Sequence, residues 1–328
     1  MPESATINQV VQIGVETTPG TSVAANKKLN SVSIEPGIQA NVNIFRPIGS
    51  KFPTVAALGQ EWVEASLSGQ LTYTEIVYLL SSVLKSTTPT QVTPPSGLAY
   101  RWTFTPAQSS EDTIKTFTVE HGSAARARKF SYGIVNELGL TFTRENIELS
   151  GTMFGKALQD GITMTASPTE IELVPVLPTQ VDVYLDSTAA DIGTTKFTRV
   201  LSAELNISDR FGQVWPLDSS LSGFAAHVET EPTVTLALTV AADAQGMGPL
   251  NAMRNGDKRF IRLKATGPLI ETGNNYLFQL DLCGVVSEVG DFSDEDGVYA
   301  IQWTFRATYD SGWGKAMEVQ VVNTLSAL

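Results

Sequence analysis

With 328 residues, 42% hydrophobic and 17% charged, the chain is long enough for two domains that each bury a core, and its low charge suits extensive assembly contacts. Residues 1–170 carry 12 basic and 14 acidic side chains and residues 171–328 carry 10 and 20, so the net charge of −12 disfavours a sequence-reading DNA binder, whose affinity comes mostly from cations on phosphate. The lone cysteine, Cys283, excludes an intrachain disulfide framework; with no run of about 18 apolar residues and no basic-then-apolar leader in MPESATINQ, soluble assembly in a cytoplasm is expected.

Residues 1–28 hold Gly14, Pro19 and Gly20 among small polar residues and one apolar patch, Val10, Val11 and Ile13. They read as a flexible terminus or as an arm that docks on a neighbour. A first β unit over 29–166 opens with Val32 and Ile34, turns at Pro36 and Gly37, and resumes as a strand from Val42 to Phe45. A long loop is expected at 46–60, and Pro47, Ile48, Phe52, Pro53, Val55 and Leu58 make it too apolar to lie bare, so it packs on its own domain or on another subunit. Val63, Ala65, Leu67 and Leu71 then alternate with Glu64, Ser66, Ser68 and Gln70 as a half-buried strand. Thr74 is placed to cap an amphipathic helix in which Ile76, Val77, Leu79, Leu80, Val83 and Leu84 recur at helical spacing. Pro89, Pro94, Pro95 and Gly97 break the chain before strands at 100–105 and 113–120.

The clearest pattern is the stretch 133–157, GIVNELGLTFTRENIELSGTMFGKA. Strict alternation puts Ile134, Leu138, Leu140 and Phe142 on one face and Val135, Glu137, Gly139 and Thr141 on the other. Arg144, Glu145 and Asn146 turn the chain, and Ile147, Leu149 and Met153 resume the apolar row. The pattern returns 151 residues later: Gly133, Val135, Glu137, Gly139 and Ile147 fall on Gly284, Val286, Glu288, Gly290 and Val298. Such spacing indicates a duplicated unit.

Residues 167–180, with Pro168, Pro175 and Pro178, read as the linker to a second unit over 181–328. Strands at 181–185 and 200–208 lead to another apolar loop at 211–227, with Phe211, Val214, Trp215, Leu217, Leu221 and Phe224. A strand through Val234 to Val240, a short helix at 249–254 stopped by Asn255 and Gly256, and strands at 260–266, 276–286 and 298–309 follow. The expected fold is mainly β: two tandem related β-sandwich or partly closed barrel domains, each with one flanking helix.

Little points to chemistry. His121 and His227 stand in unlike surroundings and read as solvated loop residues, and no nucleophile elbow accompanies them. GTMFGKA has three residues between its glycines where a phosphate-binding loop needs four, and Ala157 where that loop needs a hydroxyl, so it reads as a strand end. DFSDEDG, aligned on Gly297 as a calcium loop, puts Phe292 and Trp303 where carboxylates belong, so it reads as an acidic turn. Cys283 reads as a small buried hydrophobe. The one basic cluster, Arg126, Arg128 and Lys129, suits a weak phosphate contact or a salt bridge between subunits, and the acidity of the second half favours the bridge.

The segment QIGVETTPGTSVAANKKL, the ribbon YGIVNELGLTFTRENIELSGTMFGKA and its second copy resemble the major tail proteins, or tail tube proteins, of long-tailed (siphovirus-type) bacteriophages. The resemblance implies a structural virion protein, assembled in the host cytoplasm, without enzymatic activity or cofactor. It implies subunits stacked as rings whose inner strands join into one β-barrel around a channel. Single-domain members form hexamers, so a duplicated chain is expected to form trimers with pseudo-sixfold symmetry. The implied partners are further copies of the chain, a tape measure protein and a tail terminator; genomic DNA passes without sequence-specific binding, and no membrane is involved. The polar row opposite each core row, Glu64, Ser66, Ser68, Glu137, Thr141, Glu204, Asn206 and Ser208, is the expected channel lining, with the outer surface as its alternative. Stacking is expected from Arg46, Ile48, Phe52, Val55 and Leu58 in one loop and Phe211, Trp215, Leu217, Leu221 and Phe224 in the other. A baseplate or terminator ring protein, or a β-sandwich adhesin, is the rival reading.

Overall fold

Alternating apolar and polar residues put most of the chain into strands. The structure is a computed structural model, which describes residues 6–219, 221 and 223–328. The first half holds β1 (Val10–Val15), β2 (Lys27–Leu29), β3 (Val32–Phe45), β4 (Val55–Gln70), β5 (Thr90–Gln91), β6 (Tyr100–Phe104), β7 (Phe117–Gly122), β8 (Ala127–Phe142), β9 (Ile147–Gly155), β10 (Gln159–Ile162) and β11 (Thr169–Glu170). The second holds β12 (Val181–Asp186), β13 (Val200–Ser208), β14 (Phe211–Val214), β15 (Ala226–Glu229), β16 (Thr233–Ala241), β17 (Arg259–Glu271), β18 (Asn274–Val289), β19 (Ser293–Glu295), β20 (Val298–Ala307) and β21 (Met317–Asn323). Helix α1 (Ile76–Val83) follows β4 and α2 (Pro249–Asn255) follows β16.

Eight strands make one antiparallel run, β3-β4-β9-β8-β13-β16-β20-β18. Its first four strands come from the first half and its last four from the second, joined where Leu138–Phe142 of β8 lie opposite Ile207–Ala203 of β13. Both β8 and β18 are long enough to serve two sets of partners. The first part of β8 pairs with β7 and β10 and the rest with β9 and β13; β18 pairs with β17 and β21 up to Gly284, then with β20. Among the described residues the strands of one chain do not close into a barrel.

Strands β8 and β18 each carry a bulge. In β8 the register slips between Val135 and Glu137, and in β18 it slips between Val286 and Glu288. After the slip Glu137 faces Thr152 and Glu288 faces Thr304. A bulge adds one residue to one strand and reverses which face the following side chains take. Strict alternation therefore misplaces two residues: Val135 lies in the main core with Leu138 and Leu140, and Ile134 lies on the opposite face. Gly133, just before the slip, is held small because a Cβ there would come within 2.9 Å of Phe117 O.

One hydrophobic cluster runs through both halves of the chain, from Val11 and Leu67 to Phe278 and Val321. Helix α1 is buried on all sides rather than amphipathic, and its Tyr78 hydroxyl is buried without a hydrogen-bond partner among the described residues. Thr74 does not cap it; Thr74 Oγ1 donates to Glu172 O, and Thr72 Oγ1 accepts from Glu75 N at the start of the helix. Helix α2 ends as expected, with Gly256 left-handed at φ 69°.

Several expectations change. Residues 10–15 of the expected arm form a strand between β2 and β7, with Val11 and Ile13 buried, while residues 1–5 lie outside the described residues. The expected turn at Pro36 and Gly37 is absent, because β3 runs unbroken; a strand with no partner on one side tolerates proline, which has no N–H to pair. The expected linker is packed: Ile171, Val174 and Val176 are buried, Tyr73 N donates to Val174 O, and Val176 N donates to Leu71 O. Strand β21, absent from the sequence reading, pairs with both β18 and β6 and ties the end of the chain to the first half.

Candidate assembly surface

The eight-stranded run has one apolar face against the core and one polar face. Cross-strand register brings the expected lining residues onto that polar face: Ser66 lies opposite Thr152, Thr152 opposite Glu137, and Thr141 opposite Glu204. Thr152 Oγ1 donates to Glu137 Oε2 at 3.3 Å. Glu64, Ser66, Ser68, Glu204 and Asn206 are exposed, and Glu137, Thr141 and Ser208 half-exposed. Sequence reading missed Glu148, Ser150 and Thr152 on β9, Thr235 on β16, Gln302 and Thr304 on β20, and Glu288 on β18, all reached by the same register. The alternation that marks them is present in the sequence; the order of strands that brings them together is not.

Both ends of this run are unpaired. Strand β3 pairs only with β4, and β18 beyond Gly284 pairs only with β20, among the described residues. Open edges present unsatisfied N–H and C=O groups to any strand that fits them.

The expected loop at 46–60 is the end of a long hairpin. Strands β3 and β4 stay paired out to Phe45 and Val55, so the turn is only 46–54. Every residue from 41 to 59 except Ser50 is exposed. Ile38, Val42, Ile44, Phe45, Ile48, Phe52, Val55 and Leu58 therefore form an apolar projection that the described residues leave uncovered, which is far from the usual fate of large hydrophobic residues.

The second apolar loop behaves differently. Strands β14 and β15 pair as a hairpin, which folds onto the polar face of the first half. Phe211 and Phe224 are buried there with Tyr132, Ile134 and Phe154, and Trp215 packs against them and edge-on to Trp62 at 5.7 Å. Asn136 Oδ1 accepts from Phe211 N at 2.9 Å, and Tyr132 Oη lies 3.2 Å from His227 Nδ1. Phe211 and Phe224 are thus spent inside the chain, and only Leu217 and Leu221 of that set are exposed. Arg210, at the base of the hairpin, is buried; its Nε donates to Val83 O at 2.7 Å and its Nη2 to Leu84 O at 3.1 Å, closing the end of α1.

The two arginines of the basic cluster are engaged within the chain. Arg126 and Arg128 both pair with Asp160, and Arg126 holds that carboxyl below its ordinary value. Lys129 lies opposite Gln159 in the β8–β10 register.

The histidines are not loop residues: His121 is in β7 and His227 in β15, and burial lowers the pKa of each. Burial raises the Cys283 thiol to about 11, as suits an inert core thiol. Among the described residues no group of His, Cys, Asp and Glu is placed to hold a metal ion, and no helix is long and apolar enough to cross a membrane.

A family model described as phage tail tube protein matches residues 6–278. No curated protein matches the chain.

Proposed function

This chain belongs to the phage tail tube protein family, and from that premise we propose that three copies close into a ring whose stacks form the tail tube of a long-tailed phage. The observation that carries this reading is the pairing of β8 with β13 inside one chain. It joins two four-stranded blocks, β3-β4-β9-β8 and β13-β16-β20-β18, that share strand order and bulge position, as two copies of one unit would. The free edges are then the two halves of that same junction: β18 of one copy meets β3 of the next as β8 meets β13. Three repeats of two blocks close the run with six similar junctions and leave no edge.

In that ring the polar face lines the channel. Glu64, Glu137, Glu148, Glu204 and Glu288 give it a negative field, the serines and threonines between them offer no cation to phosphate, and Arg306, opposite Thr235 on the same face, is paired with Glu231. Genomic DNA passes such a wall without adhering. The bare β3–β4 hairpin supplies adhesion between rings, and ring ends take a tape measure protein within and a terminator at the last ring. The subunit acts as a wall and has no catalytic step.

Electron microscopy of the purified protein tests the proposal. Rings or tubes with threefold symmetry and six similar lobes per ring are expected. Persistent monomers, or rings of six chains, would overturn it, and threefold rings that never stack would favour a terminator.

A further inference from the structure

The strands of the eight-stranded run give it two unlike ends. The β3–β4 register runs from Val32 opposite Gly69 to Phe45 opposite Val55, and the β4–β9 and β8–β9 registers place Phe142 and Ile147 at the Gly69 end. Through β8–β13, β13–β16 and β16–β20, that same end receives Ala203, Val240 and Ala300, and so the β19–β20 turn. The tip at 46–54 projects from the opposite end.

The two ends are chemically complementary. Residues 40–60 carry Arg46 and Lys51 and no acid, around exposed Phe45, Ile48 and Phe52. Arg46 Nη1 donates to Ser50 O, which fixes the tip while its charge stays at the surface. At the other end Val289, Phe292, Val298 and Tyr299 are exposed, and the Phe292 and Tyr299 rings stack with centroids 4.6 Å apart. Glu288, Asp291, Asp294, Glu295 and Asp296 surround them without a base between 288 and 296. The β8–β9 turn at that end, with Arg144 and Glu145, has mixed charge and lacks such an apolar patch.

We propose that the β3–β4 tip of one copy docks on the Phe292–Tyr299 patch of a copy in the next ring, Arg46 and Lys51 facing the acidic residues around it. The inference rests on the ring proposed above and names what each ring end binds. Two like ends oppose each other by charge, so rings add head to tail only, and a heterologous contact of that kind propagates an open filament. Apolar contact supplies the adhesion and charge sets the direction.

Paired charge reversals test it, scored by microscopy for both rings and stacks. The double variant Arg46→Glu with Lys51→Glu, and separately the quadruple variant Asp291→Lys, Asp294→Lys, Glu295→Lys and Asp296→Lys, which leaves Glu288 alone of those five acids, should each form threefold rings yet need about 100-fold more protein to stack, since like charges across a contact cost several kcal/mol. Mixed in equal amounts, the two variants should stack again, because each reversed end then meets an opposite charge. Normal stacking of either variant alone, or failure of the mixture while both form rings, would overturn the docking. Neutral variants, Arg46→Gln with Lys51→Gln, should weaken stacking less than the reversal and guard against misfolding. Absence of rings in the unmodified protein would sink the ring proposal instead.

Discussion

Arg210 donates through Nη1 to Glu229 Oε1 at 2.6 Å, and the same guanidinium satisfies the last carbonyls of α1 from across the chain. A second-half residue thus closes a first-half helix, while Glu229 at the foot of β15 holds it in place. Replacing Arg210 by Met removes the charge and leaves Glu229 and two helix carbonyls without their partner. Breaking a buried pair in this way costs about 3–5 kcal/mol. A denaturant titration of the variant should show that loss, and a change below about 1 kcal/mol would mean that water replaces the guanidinium at little cost.

Tyr78 offers the opposite case. Its hydroxyl is buried in α1 with no partner among the described residues, and burial raises its pKa. An unpaired buried hydroxyl costs about 1–3 kcal/mol of desolvation, so Tyr78→Phe should be neutral or stabilising by about 1 kcal/mol in a thermal melt. Marked destabilisation would reveal a hydrogen bond that the folded chain makes through water.

The contrast between these sites shows what is legible in the sequence. Strands such as 200–208 and the polar row through Glu64, Glu137 and Glu204 follow from period two, which depends only on which face is buried. Ile134 and Val135 are misread because a one-residue bulge is invisible to a pattern that counts in twos. Phe211 and Phe52 look equally apolar as sequence, yet one is buried under its own hairpin and the other is exposed. That difference is decided by long-range contact with Tyr132 and Phe154, for which local composition holds no signal. Arg210, which joins the halves, goes unmarked in the sequence for the same reason.

Acid should loosen the β14–β15 hairpin. Burial lowers the pKa of His227, more than Glu111 and Glu229 raise it. With the folded value below the ordinary 6.5, the unfolded chain takes up a proton that the folded chain refuses, so stability is full above about pH 6.5 and falls as pH drops through the folded value. His121, lowered by burial in the same direction, adds to the slope. The melting temperature of the unmodified protein should fall between about pH 7 and 5, and His227→Gln should flatten part of that decline. An unchanged slope in the variant would place the titration elsewhere.

Charge on the polar face should decide whether nucleic acid adheres. Glu64, Glu137 and Glu204 are on separate strands of one face, and none is in a salt bridge within the chain, among the described residues. Changing all three to Lys therefore breaks no ion pair and adds cations where the wall was acidic. Surface substitutions of this kind cost little stability, roughly 0.5 kcal/mol each, so folding and ring formation should survive. Each phosphate neutralised releases condensed counterions, and the affinity gained falls steeply with salt. The triple variant should retain short duplex DNA at about 50 mM salt and release it at about 200 mM, while the unmodified protein retains none at either. Retention by both proteins, or by neither once tubes are seen to form, would show that this face does not line the channel.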